Sequence, residues 1–234
     1  MMKALVAAVL LGGALMLSQC GGPSTIRYRL TLEVETPEGK KTGSGVFEQA
    51  SRYNDGFFRG LGAGAGLAVA VRGEAIIVDL GARGLLLFLM TRDAARYPST
   101  DDLLLSKIFT FDKWGGSQED YAAYLRRLQW SKPTANAPLE RLPMLARFSN
   151  PQNPATAERV DPSNLAATFG AGVRLVRVTA HITNEPLAEP MIENRLPWVR
   201  TLRGSIGNTL GLSVGYPHAL SQINDGSFRQ GRRG

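Results

Sequence analysis

Residues 26–35 carry the clearest pattern in the chain, because apolar and polar side chains alternate strictly along this stretch. Ile26 and every second residue up to Val34 are apolar, and the residues between them are Arg, Thr or Glu. A period of two predicts a strand with one buried and one solvated face, as in an antiparallel sheet. The turn residues 37–39 are followed by residues 42–49, which predict the returning strand.

The rest of the first half of the chain predicts more strands. Residues 67–71 and 75–80 are apolar runs joined by a short polar stretch with a glycine, which predicts a hairpin. Residues 85–90 are apolar throughout and follow turn residues, which predicts a buried strand. We therefore interpret residues 26–90 as a β-meander.

Helical signals begin in the middle of the chain. Residues 101–109 predict a short helix, and Ser117 with Asp120 resembles a capping box. Behind this box, apolar residues at i, i+3, i+4 and i+7 predict a helix that ends near residue 130. Its apolar face, interpreted as core packing or alternatively as a ligand or partner groove, carries Tyr121, Tyr124, Leu125 and Leu128.

Residues 100–200 predict a mixed α/β part. Residues 144–149 and 156–160 predict two strands around a turn, and residues 173–183 predict a longer strand. Alternation along the longer strand places four apolar residues on one face, namely Val176, Val178, Ala180 and Ile182.

Two further short helices and a tail complete the prediction. Asp161 followed by proline predicts a helix cap rather than a catalytic acid, with Gly170 at the helix end. Residues 191–196 predict another helix, whereas residues 201–234 are rich in Gly, Ser and Asn and are interpreted as a flexible tail. We expect an α+β fold over residues 26–200, β-rich, with a mainly antiparallel sheet and a few short helices.

The N-terminus predicts where the protein is located. Lys3 precedes an apolar run from residue 4 to 17, and Cys20, the single cysteine of the chain, follows closely. As a helix this run would rise about 21 Å, whereas a span of the bilayer core needs about 20 residues. Residues 1–19 therefore resemble a signal peptide more than a permanent membrane span.

Residues 17–20 resemble a bacterial lipoprotein signal, in which the cysteine thiol is acylated and becomes the new N-terminus. Gln19 departs from the small residue that is usual at this position. We predict lipidation at Cys20, with residues 20–25 as a lipidated linker in the bacterial cell envelope. Because Gly21 rather than Asp follows the cysteine, the outer membrane facing the periplasm is the expected location. An uncleaved signal anchor and simple secretion are the alternatives.

Composition excludes several classes of protein. About 215 residues remain after cleavage, enough for one domain or two small ones. An acylated Cys20 leaves no thiol for disulfides, metal binding or catalysis. The formal net charge is +7, but no basic stripe with interleaved aromatic residues is present, so no nucleic-acid partner is expected. The basic residues at 229–233 are interpreted as solvated, or alternatively as a weak contact with anionic lipid head groups.

The sequence predicts no catalytic residue, no metal site and no cofactor site. The glycines of residues 60–66 resemble a phosphate loop, but a strand-like run follows instead of a helix, so we interpret them as a flexible loop. His181 and His218 are not at a metal-ligand spacing. Ser44 with His181 and Asp79 would form a hydrolase triad, yet Ser44 lies in Thr-Gly-Ser-Gly and not in the Gly-x-Ser-x-Gly elbow.

Three glutamates, Glu185, Glu189 and Glu193, recur every four residues. On one helix they would stack their carboxylates along a single face. Because Pro186 and Pro190 interrupt the run, we do not expect a continuous acidic ladder.

Several segments carry a resemblance to known proteins, namely residues 27–39, 72–79, 142–145, 160–173 and 195–198. Together they are similar to an uncharacterised family of small proteobacterial envelope proteins. The resemblance implies no activity, no cofactor and no catalytic residue.

Two functional hypotheses follow. The first is a non-enzymatic, lipid-tethered envelope protein whose β-rich domain contacts another envelope component. The alternative is a periplasmic hydrolase whose site is assembled only in three dimensions, by His181 with a carboxylate and a hydroxyl. An uncovered apolar patch on a sheet face would favour the binding protein. The oligomeric state is left open.

Overall fold

A computed structural model describes residues 24–54, 66–91, 104–113, 117–189, 191–210 and 223–230. Within these ranges the chain forms two mostly antiparallel β-sheets with a few short helices, which confirms the predicted α+β, β-rich fold class. Some predictions fall on residues outside the described ranges, namely those for Cys20, the glycines at 60–65, His218 and the basic residues 231–233.

The strands are β1 (Ser24–Thr36), β2 (Gly39–Asn54), β3 (Gly66–Glu74), β4 (Ile76–Asp79), β5 (Leu85–Phe88), β6 (Thr134–Asn136), β7 (Leu145–Phe148), β8 (Ala157–Val160), β9 (Arg174–Thr183) and β10 (Arg229–Gln230). The helices are α1 (Leu104–Ile108), α2 (Gln118–Ser131), α3 (Ala166–Phe169), α4 (Ile192–Arg195), α5 (Ile206–Thr209) and α6 (Asp225–Phe228). Short 3₁₀ turns lie at Gly81–Arg83, Leu139–Arg141, Pro154–Thr156 and Pro197–Arg200.

The first sheet has the strand order β10-β3-β2-β1-β9-β6, and all of these pairs are antiparallel. Its centre is β1, where alternate side chains are buried as the sequence pattern predicts. The inward-facing residues are at most 3 % exposed, and they are Ile26, Tyr28, Leu30, Leu32 and Val34. The strand prediction for residues 26–35 is therefore confirmed.

One detail of β9 differs from its prediction. Val34 of β1 opposes Leu175, whereas Glu33 opposes Arg177, so Val176 is the extra residue of a β-bulge. On the N-terminal side of the bulge, the alternation of buried and exposed residues is therefore shifted by one position. As a result Leu175 faces the core, and Val176 is only half-buried. The inward placement of Val176 was therefore wrong, while that of the other three residues, Val178, Ala180 and Ile182, is confirmed.

The second sheet has the order β4-β5-β7-β8, and its strand β5 is buried on both faces. In β5, Leu86 and Phe88 belong to the core beneath the first sheet, and Leu85 and Leu87 belong to a second core on the other face. The predicted buried strand is thus confirmed, as is the β7–β8 pair around its turn.

Strands β3 and β4 do not form the predicted hairpin. β3 pairs with β2 and β10, whereas β4 pairs with β5 in the second sheet. The chain changes sheet at Ala75, whose N–H donates to the Phe228 carbonyl at 2.8 Å. Ile76 and Val78 then pack in the first core, and Ile77 packs against the second. The hairpin prediction was wrong because β4 has two apolar faces, and both faces are covered when the strand lies between the two cores rather than beside β3 at a sheet edge.

Helix α2 begins at the predicted capping box. The Ser117 hydroxyl accepts the Asp120 N–H at 3.1 Å, and the Asp120 carboxylate accepts the Ser117 N–H at 3.1 Å. The helix is capped at its C-terminus by Lys132, a left-handed residue with φ 42° whose N–H donates to the Leu128 carbonyl. The face predicted to pack in the core is buried, namely Tyr121, Tyr124, Leu125 and Leu128.

Helix α3 begins later than predicted. Asp161 Oδ1 accepts the Ser163 N–H at 2.9 Å and the Ser163 hydroxyl at 2.7 Å, so Asp161 forms a local turn instead of capping a helix. The helix starts at Ala166 and ends, as predicted, at Gly170 with φ 93°. The cap prediction for Asp161 was therefore wrong, whereas the short helices predicted at residues 101–109 and 191–196 are confirmed in their described parts as α1 and α4.

Residues 201–234, interpreted from composition as a flexible tail, form packed structure where they are described. They contribute α5, α6 and β10, and β10 pairs with β3. Residues 192–210 and 223–228 cover the second sheet, and we call them the C-terminal layer. The tail prediction needs correction here, because widely spaced apolar residues fix this layer, including Leu202, Ile206, Ile223 and Phe228, each at most 2 % exposed.

Candidate functional site

A cleft of about 460 Å³ lies where β2, β3 and β4 meet residues 187–195. Two glycines of β2 allow β4 to approach closely beside it. A Cβ atom on Gly43 would lie 2.3 Å from the Ile77 carbonyl oxygen, and one on Gly45 would lie 3.1 Å from Ile76 Cγ1. The glycines of the Thr-Gly-Ser-Gly segment therefore have a packing role.

The cleft combines apolar walls with charged groups. Asp79 pairs with Arg195 at 2.5 Å. The Glu74 carboxylate accepts the N–H groups of Met191 at 2.7 Å and Ile192 at 2.9 Å, which holds the start of α4 against β3. The apolar lining includes Val46, Ile76, Ile77, Leu187, Ala188 and Met191. An apolar pocket with a few oriented polar groups is typical of a binding site.

The three residues of the hydrolase hypothesis are not brought together. Ser44 on β2 and His181 on β9 lie on opposite sides of β1, so at least two strand spacings, about 9.5 Å, separate their backbones. Arg29 of β1 donates to the Ser44 hydroxyl at 2.9 Å, and His181 Nδ1 lies 2.9 Å from the Thr134 hydroxyl. Asp79 belongs to the other sheet. Ser44 and His181 therefore do not form a nucleophile–base pair.

Ion pairs fix the protonation of the carboxylates beside these residues. The hydrogen bond from Arg195, followed by the N–H of Gly81 at 2.9 Å, holds the pKa of Asp79 below its usual range. The hydrogen bond from Arg29 lowers the pKa of Glu185 in the same way. Both groups are charged acceptors at neutral pH and are unsuited to donate a proton.

The three glutamates spaced by four residues lie in different environments. Residues 184–189 are not helical, so the expectation that no acidic ladder forms is confirmed. Glu189 lines the cleft. Glu193 lies on α4, where it pairs with Arg200 at 3.0 Å and contacts Arg229.

The solvent face of the first sheet carries cross-strand ion pairs. Glu48 of β2 pairs with Arg27 of β1 at 2.8 Å and with Arg72 of β3 at 3.1 Å. Glu33 of β1 pairs with Arg177 of β9 at 2.6 Å, and this contact lowers its pKa. The uncovered apolar sheet face that would favour a binding protein is therefore not found on these described strands.

Sequence reasoning missed two exposed apolar side chains. Met191, which lines the cleft, is 63 % exposed, and Trp130, near the end of α2, is 92 % exposed. Trp130 could have been found, because it lies outside the i, i+3, i+4, i+7 pattern that the buried face of α2 follows.

Comparison with known proteins gives no relative, since no family model, no curated protein and no solved structure matches the chain. The resemblance to a proteobacterial family stays a prediction. Across the described ranges, no three His, Cys, Asp or Glu side chains are grouped to hold a metal ion. Nor does that part of the chain contain a helix with the length and apolar character of a bilayer span.

Proposed function

We propose that this chain is a lipid-anchored protein of the bacterial cell envelope, with its α+β domain acting as a non-enzymatic binding module. An acylated Cys20 attaches it to the outer membrane, facing the periplasm. The observation that carries the proposal is the single cysteine behind the apolar run of residues 4–17, which is too short to span a bilayer.

The start of the domain is consistent with a short tether. β1 begins at Ser24, four residues after Cys20, so little chain separates the acylated residue from the folded part. Each buried CH₂ group of an acyl chain contributes about 0.8 kcal/mol, and one chain alone binds only marginally. Several acyl chains, as bacterial lipoproteins carry, would make the attachment stable.

The cleft supports the binding role. Its volume of about 460 Å³ falls within the range of about 300–1,000 Å³ that is usual for ligand pockets. Asp79 and Arg195 bind each other, and Glu74 binds backbone N–H groups, so these charged groups are held in fixed positions at the cleft. We propose that another envelope component binds here.

Palmitate labelling of growing cells tests the anchor. The wild-type protein should take up label and fractionate with membranes, whereas Cys20→Ala should do neither. Gln19→Ala keeps the cysteine and restores a small residue before it, so it should label at least as well as the wild type. Equal labelling of the wild type and Cys20→Ala would contradict the proposal.

A cleft-filling variant tests the binding role. Ala188 is exposed and lines the cleft, and Ala123 is exposed on α2 away from it. After crosslinking in cells, a component recovered with the wild type and with Ala123→Phe should be lost with Ala188→Phe. Equal recovery with all three proteins would contradict a role for the cleft.

A further inference from the structure

Trp130 is the most exposed large apolar side chain in the described part of the molecule, at 92 %. It lies one residue before the end of α2, on the side of the helix away from the buried Leu128. Among the described residues, no contact explains why an apolar side chain of this size is kept in solvent.

This end of α2 lies where the chain leaves the domain toward Cys20. The side chain of Gln129 donates from Nε2 to the Thr25 carbonyl at 2.7 Å, which joins the helix end to the first residues of β1. Four residue steps separate Ser24 from Cys20, and a fully extended chain covers about 14 Å over that length. An acylated Cys20 therefore keeps the Trp130 end of the domain close to the lipid surface.

The chain segment around Trp130 is positively charged. Residues 121–139 contain three cations and no Asp or Glu. These cations, Arg126, Arg127 and Lys132, are all exposed. The acidic residues of α2 lie at its other end, in the first turn. A cationic surface with a tryptophan complements a leaflet that contains anionic lipids, because indole rings favour the head-group region and Lys and Arg are attracted to anionic head groups.

We propose that the C-terminal end of α2 rests on the anionic membrane surface to which Cys20 is attached, with Trp130 inserted among the head groups. This inference rests on the proposed lipid anchor and adds an orientation to it. Ser44, at the cleft, opposes Thr31, seven residues from the start of β1, so the cleft lies about 23 Å further along the strand. The contact would leave the cleft open to the periplasm.

Fluorescence quenching tests the contact on the mature protein purified from membranes. The protein is reconstituted into vesicles of phosphatidylethanolamine and phosphatidylglycerol, with or without brominated acyl chains. Brominated lipid should quench part of the wild-type emission, and Trp130→Phe should lose that part. Because Trp130 is exposed, the variant should keep the wild-type circular dichroism spectrum.

Charge provides a second readout. The double variant Arg126→Gln/Lys132→Gln keeps Trp130, but it should be quenched less than the wild type in the anionic vesicles. Added salt should reduce the quenching of the wild type more than that of the double variant, because salt screens surface charges.

Mass spectrometry of the same sample separates the two proposals. An unacylated Cys20 would contradict the proposed anchor, and this contact with it. An acylated chain with equal quenching in the wild type and Trp130→Phe would overturn the membrane contact alone. Loss of a crosslinked protein in Trp130→Phe, without any quenching in the wild type, would overturn it in favour of a protein partner.

Discussion

The two sheets differ in how many of their faces are covered. In the first sheet, β1 alternates between a buried face and a solvent face that carries ion pairs such as Glu48 with Arg27. In the second sheet, β5 is buried on both faces, with Leu86 toward the first sheet and Leu87 toward the C-terminal layer. An alternating stretch therefore indicates one covered face, and a continuous apolar stretch indicates two.

Because of this difference, the two sheets need different numbers of packing partners. The first sheet needs only one packing partner for its inner face. The second sheet needs two, and residues 192–210 and 223–228 supply the second one. The described parts of the glycine-rich and serine-rich C-terminal end, residues 201–210 and 223–230, thus contribute side chains to the core.

The largest expected effect comes from removing a side chain of the C-terminal layer. Phe228 is fully buried against Phe148 and Trp198. Phe228→Ala should lower the free energy of unfolding by about 3–5 kcal/mol, because it leaves a cavity over the second sheet. Urea unfolding followed by circular dichroism measures this. Phe109→Ala, at a half-buried position of the first core, should cost less, and an equal or smaller loss for Phe228→Ala would contradict the layer.

A glycine substitution tests the close approach between the sheets. Gly43→Ala places a methyl group where only 2.3 Å separates it from the Ile77 carbonyl oxygen. We expect a loss of about 1–3 kcal/mol in urea unfolding, because β4 must move. The neighbouring Ser44→Ala, on the solvent side of β2, should change stability by about 0.5 kcal/mol at most. Similar values for both variants would show that the sheets do not pack closely here.

The solvent face of the first sheet should tolerate the loss of a charge. Glu48→Gln removes the carboxylate shared by Arg27 and Arg72, and we expect a loss of about 1 kcal/mol or less. The loss should shrink in high salt, because the guanidinium groups of Arg27 and Arg72 reach solvent and are screened by ions. A loss as large as that of Phe228→Ala would remove the contrast between the two sheets.

The smallest effect concerns the start of α2. The ion pair with Lys113 and the hydrogen bonds from Ser117 lower the pKa of Asp120 to about 2, below its usual value of 3.8. The charged form therefore stabilises the fold fully above about pH 5, and this stabilisation is lost as the pH falls toward 2. The difference in unfolding free energy between the wild type and Asp120→Asn should shrink over that window.

A control removes the same charge from the same turn. Glu119→Gln leaves the hydrogen bonds between Ser117 and Asp120 in place. As the pH falls from about 5 toward 2, the unfolding free energy of this variant should decrease as much as that of the wild type. A difference between the wild type and Asp120→Asn that is constant with pH would contradict the role of the cap.

Local patterns predicted much of the fold. The alternation in β1, the continuous run in β5 and the capping box of α2 each depend on neighbours within a few residues, so the sequence displays them directly. The partner of a strand depends on contacts far along the chain. The break at Ala75 was missed for this reason, since its N–H partner is Phe228.

The candidate site was harder to predict than the fold. Ser44 and His181 were recognised as reactive types, but their separation by β1 follows from strand order, which no local spacing reveals. The cleft depends on Glu74 reaching Met191 and Ile192, more than a hundred residues away. Such contacts arise only when the sheets and the C-terminal layer are assembled.

The most direct test of the central claim is the intact mass of the protein extracted from membranes. The account predicts a polypeptide that begins at Cys20 and carries the added mass of acyl chains at that residue. A chain that still begins at Met1, with an unmodified thiol at position 20, would contradict it.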